Sequence, residues 1–240
     1  MPLYTAILFF SILIPFVLSF DRKVSFYKKW KSLIPSTIVV GAVYIFFDVL
    51  FVIDGVWGFN PDYHSKVVVF GLPLEEWLFF ILIPYASIFI HFVLEAYFPN
   101  FSIGKGAVKV LTWTLILIFA TIVVFNFDKA YTRFNYTLLV LALIWALFDK
   151  SGLLNRYYLS FLVIILPFFL VNSILTGTLI EGEVVWYNNA ETLGIRLGTI
   201  PIEDVGYAFS LMLLNLLTMN QFQRFYTSLI PTTKSQRINK

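Results

Sequence analysis

The chain has 240 residues, of which 59% are hydrophobic and 13% charged, with mean hydropathy +0.83 and formal charge +3. A soluble enzyme carries about 25% charged residues, so that class is excluded. Disorder is excluded too, because 27 Phe, 13 Tyr and 6 Trp hold more apolar area than a solvated chain leaves exposed. The chain has no Cys, which removes disulfides, thiolate metal sites, iron–sulfur clusters and cysteine nucleophiles.

About 20 apolar residues cross a hydrocarbon core of ~30 Å. In chain order, seven runs approach that length: residues 2–20, 33–53, 73–97, 107–127, 136–148, 157–178 and 201–220. The expected fold is therefore an all-α integral membrane protein, with the fifth run the shortest. The first run is followed, not preceded, by Arg22 and Lys23, which is unlike a cleaved signal peptide. With seven spans, Arg22, Lys23, Lys28, Lys29, Lys31, Lys105, Lys109, Lys150, Arg156, Arg224, Lys234, Arg237 and Lys240 fall on one side. Lys66, Lys129, Arg133 and Arg196 fall on the other. The rich side is expected to be cytoplasmic, with the N-terminus outside and the C-terminus inside a cell membrane. The basic residues then mark loops, and nucleic acid is not an expected partner.

The two halves match in order. Phe20-Asp21 closes the first run as Phe148-Asp149 closes the fifth, and Asp48 late in the second has a polar counterpart in Asn172 late in the sixth. Trp57-Gly58-Phe59-Asn60 and Trp186-Tyr187-Asn188-Asn189 occupy the following loops. Gly71-Leu72-Pro73-Leu74-Glu75-Glu76 and Thr199-Ile200-Pro201-Ile202-Glu203-Asp204 then open the third and seventh runs. The expected organisation is a first three-helix repeat at 1–104, a linking helix at 105–130, a second, parallel repeat at 131–220 and a basic tail at 221–240.

Ionisable groups within spans cost ~2.5–3.5 kcal/mol each on insertion scales and mark function by default. The candidates are Glu75, Glu76, Glu203, Asp204 and Asp48, with His91 and Glu95 further along the third run. Pro followed by acids also describes an ordinary helix start. Against that, adjacent acids point about 100° apart on a helix, so at the edge of an apolar run one of them needs a polar partner or a cavity. Two carboxyls so close resist double ionisation, and burial penalises the charge further. Such a pair can hold one proton, as an acid catalyst acting on a hydrocarbon requires. Asp48 reads either as a structural acceptor between helices or as a partner of the Glu pair. His91 and Glu95 share a helical face, but without a second His motif they read as an interfacial pair, and no metal is expected. Trp57 and Trp186 read as interface anchors, or as rings facing a cationic intermediate.

Other chemistries lack their parts. Gly-x-Gly-x-x-Gly, Gly-x-Ser-x-Gly, His-Glu-x-x-His, a phosphate-cradling Gly loop and Asp-x-x-Asp runs are all missing, and the last run has no Lys for a retinal Schiff base.

The motifs Pro73-Leu74-Glu75-Glu76-Trp77-Leu78-Phe79-Phe80 and Pro201-Ile202-Glu203-Asp204, with Trp loops ahead of them, resemble the duplicated domain of the non-flavin lycopene cyclases. That family includes heterodimeric bacterial cyclases, fused single-chain forms and the cyclase half of the fungal bifunctional cyclase/phytoene synthase; this chain is similar to the fused form. The second motif departs from the family's aromatic continuation at Val205-Gly206-Tyr207-Ala208. The resemblance implies redox-neutral, proton-initiated conversion of lycopene to β-ionone-ringed carotenoids without a cofactor. It implies Glu75, Glu76, Glu203 and Asp204 as catalytic, and Asp48, Trp57, Phe79, Phe80, Asn172 and Trp186 as substrate-binding. The partners it implies are lycopene, the lipid bilayer and other carotenoid enzymes. A proton-coupled transporter and a non-catalytic subunit of a carotenoid-making complex are the alternatives.

Overall fold

A computed structural model describes residues 1–229. Seven α-helices carry the fold: α1 Leu3–Leu18, α2 Trp30–Ile53, α3 Leu74–Tyr97, α4 Lys105–Phe125, α5 Ala130–Phe148, α6 Leu154–Leu175 and α7 Glu203–Ser228. Helices α2 to α6 are long and apolar enough to cross a membrane, so the protein is an all-α membrane protein. Helix α1, with 16 residues, is shorter, about 24 Å at 1.5 Å per residue. Helix α7 is long enough but more polar, because it lies inside the bundle. It packs against α2, α3, α5 and α6, so Ser210 and Asn215 are shielded from lipid. Asn215 meets Ser36 of α2 there, its side-chain and backbone oxygens both accepting from the Ser36 hydroxyl.

The packing pattern recurs. Helix α1 lies on α3 as α5 lies on α7, and α2 crosses to α7 as α6 crosses to α3. Helix α4 packs chiefly on α5 and buries only Val108, Thr112 and Ile116. Helix α5 begins at Ala130, ahead of the apolar run at 136–148, because its first turn carries Tyr131 and Thr132, which turn inward to bind carboxyls. Helix α7 continues past Gln221 to Ser228, held by Arg224, which pairs with Asp149 at 2.6 Å. The basic positions Lys234, Arg237 and Lys240 of the expected tail lie outside the described residues.

Six short strands cap the end where α1, α3, α5 and α7 begin: β1 Trp57–Phe59, β2 Val68–Val69, β3 Leu72–Pro73, β4 Val185–Tyr187, β5 Arg196–Leu197 and β6 Ile200–Pro201. Strands β2–β3 and β5–β6 are antiparallel hairpins with two-residue turns. Phe70 and Gly71 supply φ of 52° and 82° in the first turn, and Gly198 supplies 66° in the second, as tight hairpin turns demand. Each hairpin ends on the Pro of an acidic motif and so fixes where α3 and α7 start. Strand β1 pairs with β4, tying the two long loops together across the molecule.

Candidate active site

The four motif acids are buried, none more than 4% exposed. Their side chains divide by position in the motif. Glu75 and Glu203, the first acids, turn toward the capping loops. Glu75 accepts from Thr5 Oγ1 at 2.6 Å, Ser65 N at 2.7 Å and Ser65 Oγ at 2.9 Å. Glu203 accepts from Thr132 Oγ1 at 2.7 Å and Leu193 N at 2.6 Å, and its Oε2 has no partner.

The second acids turn inward. Tyr4 donates to Glu76 Oε2 at 2.5 Å, and Tyr131 donates to Asp204 Oδ1 at 2.6 Å. Asp204 Oδ2 also accepts from Asn172 Nδ2 at 2.7 Å and Tyr187 Oη at 3.1 Å. Asp48 lies within electrostatic reach of Glu76 and accepts from Tyr207 Oη at 3.2 and 3.3 Å. Tyr131 approaches both Tyr187 and Tyr207, with ring centroids 5.5 and 6.3 Å apart. Glu76, Asp48 and Asp204 therefore belong to one buried cluster walled by Tyr4, Tyr131, Tyr187 and Tyr207. Burial, then the Asp204 carboxyl, pushes the Tyr187 phenol well above its ordinary range, so it stays protonated and donates.

An apolar groove of about 640 Å³ runs between α1, α3 and α6 to this cluster. Its walls include Ile7, Ile83 and Val171, and it reaches Phe79 and Asn172. Asn172 is the same side chain that donates to Asp204. At the rim, Phe10 and Ile14 are exposed, so the groove opens sideways through the bundle wall.

A family profile described as lycopene cyclase matches residues 1–94 and 108–222. The chain belongs to the lycopene cyclase family. It is thus a carotenoid cyclase, an enzyme of carotenoid biosynthesis carried on membrane helices. No curated protein and no solved structure matches it.

The aromatic residues expected to bind substrate fall in different places. Phe79 lines the groove. Phe80 is buried behind it against Tyr44 and Gly41. Trp57 is buried against Tyr131 and Tyr187, at 6.3 and 5.7 Å between centroids. Trp186 does not join the cluster. It pairs with Gly58 across the β1–β4 ladder and lies over that glycine, where a Cβ would come within 2.5 Å of the indole. Side chains alternate along a strand, so the neighbouring Tyr187 enters the site in its stead. His91 is buried and bonded to Ser160 Oγ at 2.8 Å, while Glu95 is exposed. Among the described residues no group of three or more His, Asp and Glu is placed to hold a metal ion.

The hydroxyl donors Tyr4, Thr5, Tyr131, Thr132, Tyr187 and Tyr207 are not among the site residues expected from sequence. The signal for four of them was present. Tyr-Thr occurs at the start of α1 and again at the start of α5, in step with the two acid pairs they bind.

Proposed function

We propose that the chain is a lycopene β-cyclase that closes β-ionone rings by proton-initiated, redox-neutral isomerisation. The observation that carries this reading is the apolar groove ending at Phe79 and Asn172, beside a buried cluster of carboxyls. A polyene end in that groove meets an acid in a dry place, which is what protonating an alkene requires.

The chemistry follows from the residues. A carboxyl on the Glu76 side gives its proton to C2 of the terminal C1=C2 bond, leaving a tertiary cation at C1. The π electrons of C5=C6 then form the C1–C6 bond and move the cation to C5. A carboxylate, Asp204, takes the proton from C6, and the C–H electrons become the ring double bond. One proton enters and one leaves, so substrate and product are isomers. Trp57 and Tyr187 put aromatic faces at the cluster, and such faces attract a desolvated cation by ~0.5–2 kcal/mol. In this reading Glu75 and Glu203 hold the loops and the helix starts rather than exchange the proton.

The reading includes two parallel three-helix repeats joined by α4, supported by the matching Tyr and Thr contacts to the two acid pairs. It also places the end bearing Lys28, Lys29 and Lys31 in the cytoplasm, by the charge asymmetry of the loops. Expression in a lycopene-accumulating host tests the function: colour shifts from red to orange-yellow, and the extracted pigment carries β rings. Unchanged lycopene with folded protein in the membrane excludes it.

A further inference from the structure

The two inward acids keep different company. Asp204 is met by three donors, Tyr131, Asn172 and Tyr187, a shell suited to a carboxylate, which only accepts. Glu76 is met by one donor, Tyr4. Asp48 stands in the position that Asn172 holds in the other half, so Glu76 has a second carboxyl as its neighbour. The groups within electrostatic reach of Glu76 or Asp48 are the phenols Tyr4, Tyr44, Tyr187 and Tyr207. Among the described residues the one ion pair, Arg224–Asp149, lies at the opposite end. Two carboxyls buried within electrostatic reach of each other, without a cation to balance them, resist double ionisation.

Tyr207 also stands behind the inner end of a second groove, packed on Tyr44. It stands three residues after the second acid of its motif, as Phe79 does after Glu76. It is fixed against Tyr44 at 4.8 Å between centroids, and Tyr44 shares a hydrogen bond of 2.7 Å with Ser210. That groove, of about 670 Å³ between α2, α5 and α7, stops at Tyr44 and Leu214, whereas the first runs to Phe79 and Asn172.

We infer that the two halves form a single acid–base centre with one mouth: Asp48, held by Tyr207, keeps a proton on the Glu76 side, and Asn172 keeps Asp204 charged to receive one. Each ring closure then draws on both halves, and the two ends of a polyene enter one after the other. The inference rests on the cyclase reading. The proton leaves the Glu76–Asp48 pair as the C1=C2 electrons form the new C–H bond, an equivalent proton passes from C6 to Asp204, and a proton returns from Asp204 to the pair before the next ring closes. Asp48 acts through Glu76 and is a positioning residue.

Two isosteric exchanges in the full chain test it, assayed in membranes with lycopene and normalised to cyclase protein by immunoblot. Asp48→Asn keeps the size and the acceptor for Tyr207 but removes the second carboxyl, and Asn172→Asp adds one beside Asp204. Each is expected to cut ring formation about 100-fold, with Asp48→Glu restoring it to within about tenfold of wild type. A purely structural Asp48 tolerates Asn better than the longer Glu, so activity in that reverse order overturns the inference. A wild-type rate in Asn172→Asp overturns it as well. Where an exchange prevents the protein from accumulating, Tyr207→Phe decides, since it deletes only a hydroxyl. A loss of about tenfold supports the inference and an unchanged rate overturns it. A wild-type chain that forms no rings overturns the cyclase reading itself.

Discussion

Adjacent helical acids diverge by about 100°, and at residue scale that angle separates two kinds of work. Glu75 and Glu203 fasten loop backbone and hydroxyls, whereas Glu76 and Asp204 face the cluster. Glu76→Gln and Asp204→Asn should therefore lose cyclic product by about 100-fold at normal protein abundance, read by pigment chromatography. Glu75→Ala should instead leave Ser65 N and two hydroxyls without their acceptor. The expected cost is ~1–3 kcal/mol of stability, seen as a lower melting temperature in detergent with residual ring formation. Equal loss of activity in both sets at unchanged stability would contradict this division.

At the scale of elements, the β1–β4 ladder joins the two halves and seats Trp57 and Tyr187 on the cluster. Trp186 occupies the space over Gly58, so Gly58→Ala should displace the indole. The expected cost is ~1–3 kcal/mol, followed by Trp fluorescence and thermal denaturation. This ladder also marks where the sequence was hard to read. Matching Trp57 to Trp186 by residue type places the second loop one residue out, and one residue on a strand exchanges the two faces. The start of α5 was hidden similarly, because Thr132 and Asn135 lower local hydropathy while sitting buried in the bundle. The helices and the two acid motifs were legible because apolar length and Pro-x-acid-acid patterns are local. The sorting of acids into loop-holding and inward-facing roles was not, because it depends on Thr5 and Ser65, about 70 and 10 residues from Glu75.

For the whole molecule, the groove and the charged ends give two expectations. Ala86 lines the groove, so Ala86→Trp should fill it and leave lycopene unconverted while thermal stability stays near wild type; ring formation at the wild-type rate would place the substrate elsewhere. The chain has no Cys, so single cysteines report sidedness without background. An impermeant thiol reagent should label Asp62→Cys in intact cells and Lys31→Cys only after lysis; the reverse pattern would invert the orientation. The sideways rim at Phe10 and Ile14 carries a kinetic consequence. A catalyst fed through that rim samples the mole fraction of polyene among neighbouring lipids, not its molarity in the assay tube. Diluting a fixed quantity of pigment with inert phospholipid should slow turnover even though the total volume never changes.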